Sequence, residues 1–532
     1  MLLSGNRPRH WFLPALLLII IVPARAATLR ITIEDEHAKP VAARVYLLDG
    51  HAQPIFPPDT IRYEKVRPDG ISERHFVPVG GAFTVDLPTG VYQLTVERGK
   101  ECLPETLSIT VPGSGEISRT IRLRRWIDMA SKGWFSGDMH VHRGLSVMPV
   151  LMESEDLALA VPISLWKTNQ SEHRDPDLDH FLALSDADGI FHAVNSRFFP
   201  VLNEELEPRA SALLASGLGR NIIGLDYPLA RFGRAVRQAG GISDSEKPTS
   251  LELPALAAVG AIQTIGLVNN HIWREHSFAA AWGAWPDRMP GHYPLTCNGF
   301  VRSGFDMYSA LLNVGFDFKL SAGSASGVHP VPPGWSRVYV KTGKPISARA
   351  WFDGVRAGRS FVTTGPMLFL NVNGREPGDA IRDMRFPAEL NITVEMQSPA
   401  TNSEVEVVVN GVVHPVRLSQ DANNLYCYRG SLKISAESSS WIVARWVGER
   451  GNTCDAAHTS PVYVWDGTNP IPISKKEAQM LLDRVDHLID NVRSGRDLKG
   501  YIVVDSKELR GATLRYLQQA HDGYQQKLAQ LK

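Results

Sequence analysis

Residues 133–144 read Gly133-Trp-Phe-Ser-Gly-Asp-Met-His-Val-His-Arg-Gly144, and at their centre stands Asp138-x-His140-x-His142. Side chains two apart on a β-strand leave the same face. Asp138, His140 and His142 are therefore expected on one face, with Met139 and Val141 on the other. Two imidazoles and a carboxylate side by side suit a divalent metal, and imidazole suits zinc, copper, iron or nickel. A plainer use of the pattern is a pair of surface histidines at a strand end. The flanking acid, the glycines and the strand-like alternation favour the metal.

The chain around this stretch has 532 residues, which suggests about three or four domains. Its formal net charge is zero and its pI near neutral, so nothing favours a nucleic acid or an anionic membrane as partner. Residues 1–26 read as a cleaved signal peptide. Arg7, Arg9 and His10 precede an apolar run from Trp11 to Val22, and Ala24-Arg25-Ala26 is an A-x-A cleavage site. The mature protein is expected in the periplasm or outside the cell, with no stable membrane anchor. Cys102, Cys297, Cys427 and Cys454 are far apart, which argues against a cysteine-built zinc site. Export permits disulfides. Cys427 and Cys454 fall in one expected β domain and can pair, although sequence alone does not fix the pairing.

Residues 27–125 read as a small β-sandwich, with short strands at 29–33, 41–48, 82–87, 91–96 and 117–123 separated by turn clusters. The segments 39–45 and 90–96 resemble carboxypeptidase-regulatory-like domains. No catalytic constellation is visible there, and the expected job is scaffolding or substrate access. Residues 126–365 have the length of an α/β barrel. Residues 366–469 read as a second β-sandwich, with the hairpin signal Val409-Asn-Gly411. His458, in its closing strand, is given a structural role. Residues 470–532 form a helical tail, opened by the capping box Ser474-Lys-Lys-Glu477. Its stripe Leu481, Val485, Leu488 and Val492 packs on the body or forms a dimer seam. The oligomeric state stays open.

In the central segment, candidate ligands follow from strand ends. Glu155, with Asp156 as the alternative, opens a helix at 151–157 and can project toward a metal. Asn269-Asn-His271 ends the apolar run 261–268, which offers His271 as a third imidazole. The acids Glu205 and Glu207 lie two apart and can share a face. Arg209 can pair with one of them or bind an anionic substrate group. The loop 272–296, with Trp273, Trp282, Trp285, Tyr293, His276 and His292, can form a lid or simply pack down.

The stretch Trp-Phe-Ser-Gly-Asp-Met-His-Val-His also resembles the first metal motif of the PHP (polymerase and histidinol phosphatase) superfamily. It is most similar to the secreted CehA/McbA type, grouped with carbaryl hydrolase. The segment Ala357-Gly-Arg-Ser-Phe-Val-Thr-Thr-Gly-Pro366 fits the same group. The resemblance implies a PHP-like distorted barrel between the two sandwiches. It also implies that Glu205 or Glu207 bridges metals, and that Glu246, in Glu246-Lys-Pro248, stands where many relatives have His-Pro. The chain departs from the superfamily twice. Ser164-Leu-Trp-Lys-Thr-Asn169 lacks the usual Thr-Asp-His, and Ala325 stands where an Asp is common, leaving Ser324, Ser326 or His329 to serve locally.

Together these readings give an exported metallohydrolase. Its cofactor is a divalent metal, zinc before manganese or iron, as one or two ions. His140, His142, Glu246, His271 and Glu155 are the candidate ligands. Glu205 is the candidate catalytic carboxylate, and Asp138 orients a ligand imidazole. Arg209 and His329 are candidate substrate contacts. The substrate is a small or glycan-like molecule with an ester, carbamate, amide or phosphoester bond. The rival readings are a phosphatase or phosphodiesterase on the same fold, a binding protein that kept the PHP fold without its chemistry, and a sandwich-built surface protein whose barrel only displays loops.

Overall fold

The computed structural model describes residues 26–168, 171–208, 211–217, 227–274, 293–294, 296–343, 345–450, 453–467, 470–495 and 507–531. Residues 1–25 of the expected signal peptide, Asn169, Arg209 and most of the loop 272–296 lie outside them. Strands dominate and are gathered in five sheets among the described residues, with eight α-helices beside them. No described helix is long and apolar enough to cross a membrane.

The first unit is a sandwich of a three-stranded and a five-stranded sheet. Ala26–Glu34 shows how sequence makes it: Ala27, Leu29, Ile31 and Ile33 alternate inward, and Thr28, Arg30 and Thr32 face out. Ile31, Val45, Phe76 and Leu94 are fully buried between the sheets. Each such Ile, Val, Leu or Phe contributes about 1.5–3 kcal/mol by leaving water. Three further strands, Thr60–Val66, Ser72–Pro78 and Glu105–Val111, complete the five-stranded sheet.

The central strands do not close into one barrel ladder. They lie in two sheets that meet at two seams. Trp134–Val141 runs parallel to Leu159–Pro162 in the larger sheet. The chain then kinks, and Leu165–Thr168 pairs in parallel with Glu204–Glu207 in a seven-stranded sheet. Asn203 fixes this kink, because its carbonyl accepts from the Ser164 and Leu165 amides. The seven-stranded sheet continues through Leu213–Ser216, Ile242–Ser245 and Thr264–Val268 to Lys319–Ala322. Beyond its last strand the loop 323–329 returns to the end of Trp134–Val141 in the larger sheet. Ala325 donates to the His140 carbonyl (2.6 Å), and Ser326 accepts from the His142 amide (2.8 Å). Ala325 (φ 47°) and Gly327 (φ 111°) are left-handed, so this seam is a loop contact rather than a ladder.

The larger sheet crosses from the central segment into the C-terminal one. Trp134–Val141 pairs with Arg337–Lys341, which pairs with Ser360–Thr363, which pairs with Thr453–Thr459. A four-stranded sheet faces its far end across a core that includes Leu368, Val394, Val407 and Ile442. Cys454 bonds Cys297 at the start of the helix Cys297–Asn313, and not Cys427. Cys427 lies buried in the opposite sheet, on Asn424–Ala436. The helical tail, Lys475–Ser494 and Lys507–Ala529, packs on the body: Leu481, Val485, Leu488, Leu517 and Tyr524 join the main core.

Candidate metal centre

The strand Trp134–Val141 places Asp138 and His140 on one face, with His142 just past its end. Glu205 comes from Glu204–Glu207, four consecutive buried residues rather than an exposed turn. Glu246 follows Ile242–Ser245, and His271 follows Thr264–Val268. His140, His142, Glu246 and His271 sit at or just beyond strand ends, and Asp138 and Glu205 lie within their strands.

Three of these side chains converge. His140 Nε2 lies 2.9 Å from His142 Nε2 and 3.3 Å from Glu205 Oε2, and His142 Nε2 is 2.8 Å from the same oxygen. One donor atom from each residue lies within 4.8 Å of the others. His140 and Glu205 are buried, and His142 nearly so. Such a group can hold a metal ion. Burial pushes both imidazoles down, but the carboxylates of Glu205 and Glu246 hold His140 above its ordinary value, while His142 stays below it. Burial raises Glu205, yet the two imidazoles overcome this and keep it far below the carboxylate range.

Glu246 stands beside this group, its Oε1 3.7 Å from His140 Nδ1. Its carboxylate is held by the Lys247 ammonium and by the Asn270 amide. Burial, reinforced by Glu205 and Glu246, pushes Glu207 up to about 8, and its Oε2 accepts from Trp166 Nε1 at 2.8 Å. Burial likewise raises Asp244 to about 7, where Ser321 Oγ contacts both carboxylate oxygens at 2.7 Å. His271 and His329 are neighbours, with ring centroids 5.8 Å apart. Burial first, then Lys247, holds both well below the usual imidazole value. Both rings are therefore neutral at neutral pH, and neither belongs to the three-residue group.

Several expected roles change: Glu205, expected as the catalytic carboxylate, stands in the ligand group, and the expected ligand His271 does not. Glu155 is not part of the group. It caps the short helix Met148–Ser154 and is buried in an ion pair with Arg44 of the first sandwich. A buried guanidinium demands a carboxylate, and Glu155 supplies it. Asp138 does not reach an imidazole. Its carboxylate accepts from the His140 amide (3.0 Å), the Ser324 amide (3.0 Å) and hydroxyl (2.5 Å), and the Gly334 amide (2.6 Å). It therefore orients His140 through the backbone. His329 makes ring contacts with His271 and Trp273.

Lys247, Asn270, Ser321 and Gly334 also belong to this neighbourhood; the sequence already allows Lys247 as an ion-pair partner of Glu246, and gives the other three no role of their own. The first two carried a signal, because each adjoins a candidate ligand. Gly334 carried none.

No protein-family model matches the chain, and no curated protein matches it. Among solved structures it is similar to GBS52, the minor pilin of Streptococcus agalactiae, at 18% identity over 20% of this chain and 46% of the pilin, with a TM-score of 0.15. It is similar to the Bacillus anthracis TIE protein at 12% identity, covering 23% of this chain and 20% of that one, with a TM-score of 0.14. A Parabacteroides merdae β-glucuronidase is matched at 10% identity over 81% of this chain and 61% of the other, with a TM-score of 0.17. The chain thus spans less than two thirds of each.

Proposed function

We propose that this chain is an exported metal-dependent hydrolase of the PHP type, similar to the CehA/McbA group. The observation that carries the reading is the convergence of His140 Nε2, His142 Nε2 and Glu205 Oε2. Two imidazoles and one carboxylate match the donor set of catalytic zinc sites that keep a position open. Zinc is accordingly the proposed metal. Glu246 is already committed to Lys247 and Asn270, which favours one ion over two. Two sheets meeting at seams around these residues support a distorted, open relative of the PHP barrel.

A bound ion of this kind polarises a scissile carbonyl or phosphoryl group and acidifies water. The chain's own residues supply the rest. Asp138 fixes the backbone at His140, and Glu207, its carboxyl raised by burial, stands beside Glu205. His271 and His329 offer neutral, hydrogen-bonding walls to a small ester, carbamate, amide or phosphoester substrate.

The test is elemental analysis by plasma mass spectrometry of the purified protein beside the His140→Ala/His142→Ala double variant. Stoichiometric metal in the parent and none in the variant is the expected result. It would be followed by turnover assays on ester and phosphoester panels. A parent that neither carries nor takes up metal sinks the hydrolase reading and leaves a binding role.

A further inference from the structure

We propose that the first sandwich is a working part of the metal centre, with Tyr63 as a positioning residue for His140 and His142. The inference rests on the metal reading of His140, His142 and Glu205.

Tyr63 lies on Thr60–Val66 and is buried. Its hydroxyl donates to the His329 carbonyl (2.6 Å) and accepts from the Gly327 amide (3.1 Å). Both partners belong to the loop that holds the two histidines from behind, through the Ala325–His140 and Ser326–His142 backbone bonds. That loop has no slack. A Cβ added at Gly327 would stand 1.9 Å from the His142 carbonyl, and one at Gly323 would stand 2.3 Å from the His140 Cβ. A shift of the loop is therefore passed to the ligand backbones.

Two more grips come from the same sandwich. Arg44 is paired with Glu155, whose carbonyl accepts from Arg337 Nη2 (3.2 Å). Arg337 Nε then donates to the Gly334 carbonyl (2.6 Å), and the Gly334 amide donates to Asp138, which holds the His140 amide. Arg274, three residues past His271, is bound to Glu97 (2.7 and 2.8 Å) and to the Tyr46 hydroxyl (2.7 Å). The sandwich thus holds the segments after three separate strands. A tethered accessory module meets its neighbour through a modest, more polar and movable interface. Here Arg44, Tyr63 and Glu155 are all buried.

The experiment uses the full-length protein, cobalt(II) as the probe, and Tyr63→Phe beside Tyr92→Phe. Tyr92 serves as control because its hydroxyl bonds the Pro88 carbonyl within its own sandwich. Tyr63→Phe is expected to weaken cobalt affinity about tenfold, the scale seen when an outer partner of a metal ligand is lost. It should also shift the visible cobalt bands, and speed amide exchange across residues 323–331 of the metal-free protein. Tyr92→Phe should match the parent in all three. Cobalt affinity within twofold of the parent, unchanged bands and unchanged exchange in Tyr63→Phe would overturn the proposal. A parent that takes up no cobalt defeats the metal reading separately. The exchange measurement then decides the clamp: faster exchange at 323–331 supports it and unchanged exchange overturns it.

Discussion

The Nε2 atoms of His140 and His142 stand 2.9 Å apart, with Glu205 Oε2 facing both. Nitrogen and oxygen lone pairs crowd one point, and an ion placed there would stabilise the folded state by mass action. At a hundredfold excess over its dissociation constant the gain is about 2.7 kcal/mol. We expect added zinc to raise the melting temperature of chelator-stripped protein and to leave His140→Ala/His142→Ala unmoved. Differential scanning fluorimetry reads this directly, and equal melting curves with and without zinc would count against the site.

Arg44 and Glu155 form a buried ion pair across the seam between the first sandwich and the central unit. Removing one partner leaves the other charged and dry, at a cost of about 3–5 kcal/mol. Arg44→Ala should therefore lower the denaturant midpoint sharply. Arg44→Met combined with Glu155→Leu should recover most of the loss. A single variant as stable as the parent would show that the seam is not tightly packed.

Glu252 lies buried under the Tyr516 hydroxyl of the last helix, and burial raises its carboxyl to about 7. In the unfolded chain it titrates at its ordinary, lower value. The folded state therefore keeps a proton that the unfolded state has already released. Stability falls as pH rises from about 4.5 to about 7 and is flat above, with a total loss of about 3 kcal/mol. Glu252→Gln should remove this slope and be more stable than the parent at pH 8. Urea titrations at pH 5 and 8 check it, and parallel pH profiles for the two proteins would refute it.

The Cys297–Cys454 bridge ties the helix Cys297–Asn313 to the strand Thr453–Thr459 across a sequence separation of 157. Peptide mapping without reductant should recover this pair and find Cys102 and Cys427 as thiols. Cys297→Ser should lower stability by about 2–5 kcal/mol. Recovery of a Cys427–Cys454 peptide would contradict the structure.

Much of the metal group is legible in the sequence, because it depends on local periodicity. Alternation put His140 and His142 together, and the two-residue spacing offered Glu205 with Glu207. What was not legible is set by contacts between distant segments. Nothing local distinguishes Glu155 as a partner for Arg44, or Gly334 as a donor to Asp138. Tyr63 sits on a strand without clean alternation, so the strand itself escaped notice. The expected distorted barrel shows no closed ladder among the described residues for a similar reason: strand order can be guessed from an alternating pattern, but a kink fixed by Asn203 cannot. The cysteine pairing likewise depends on how the large sheet crosses the expected boundary at 365.

That crossing bears on how the protein is made. Ser360–Thr363 finds its outer neighbour only in Thr453–Thr459. Thr363 and Thr453 are 90 positions apart, so there is a wait until the later strand has been delivered. During it, the half-made molecule presents an unpaired strand edge on its largest sheet, the kind of surface that recruits other chains. The central unit therefore cannot be finished as it emerges. Its completion waits for the arrival of nearly the whole polypeptide, and a truncation at residue 365 would leave the unit soluble only while something else covers that edge.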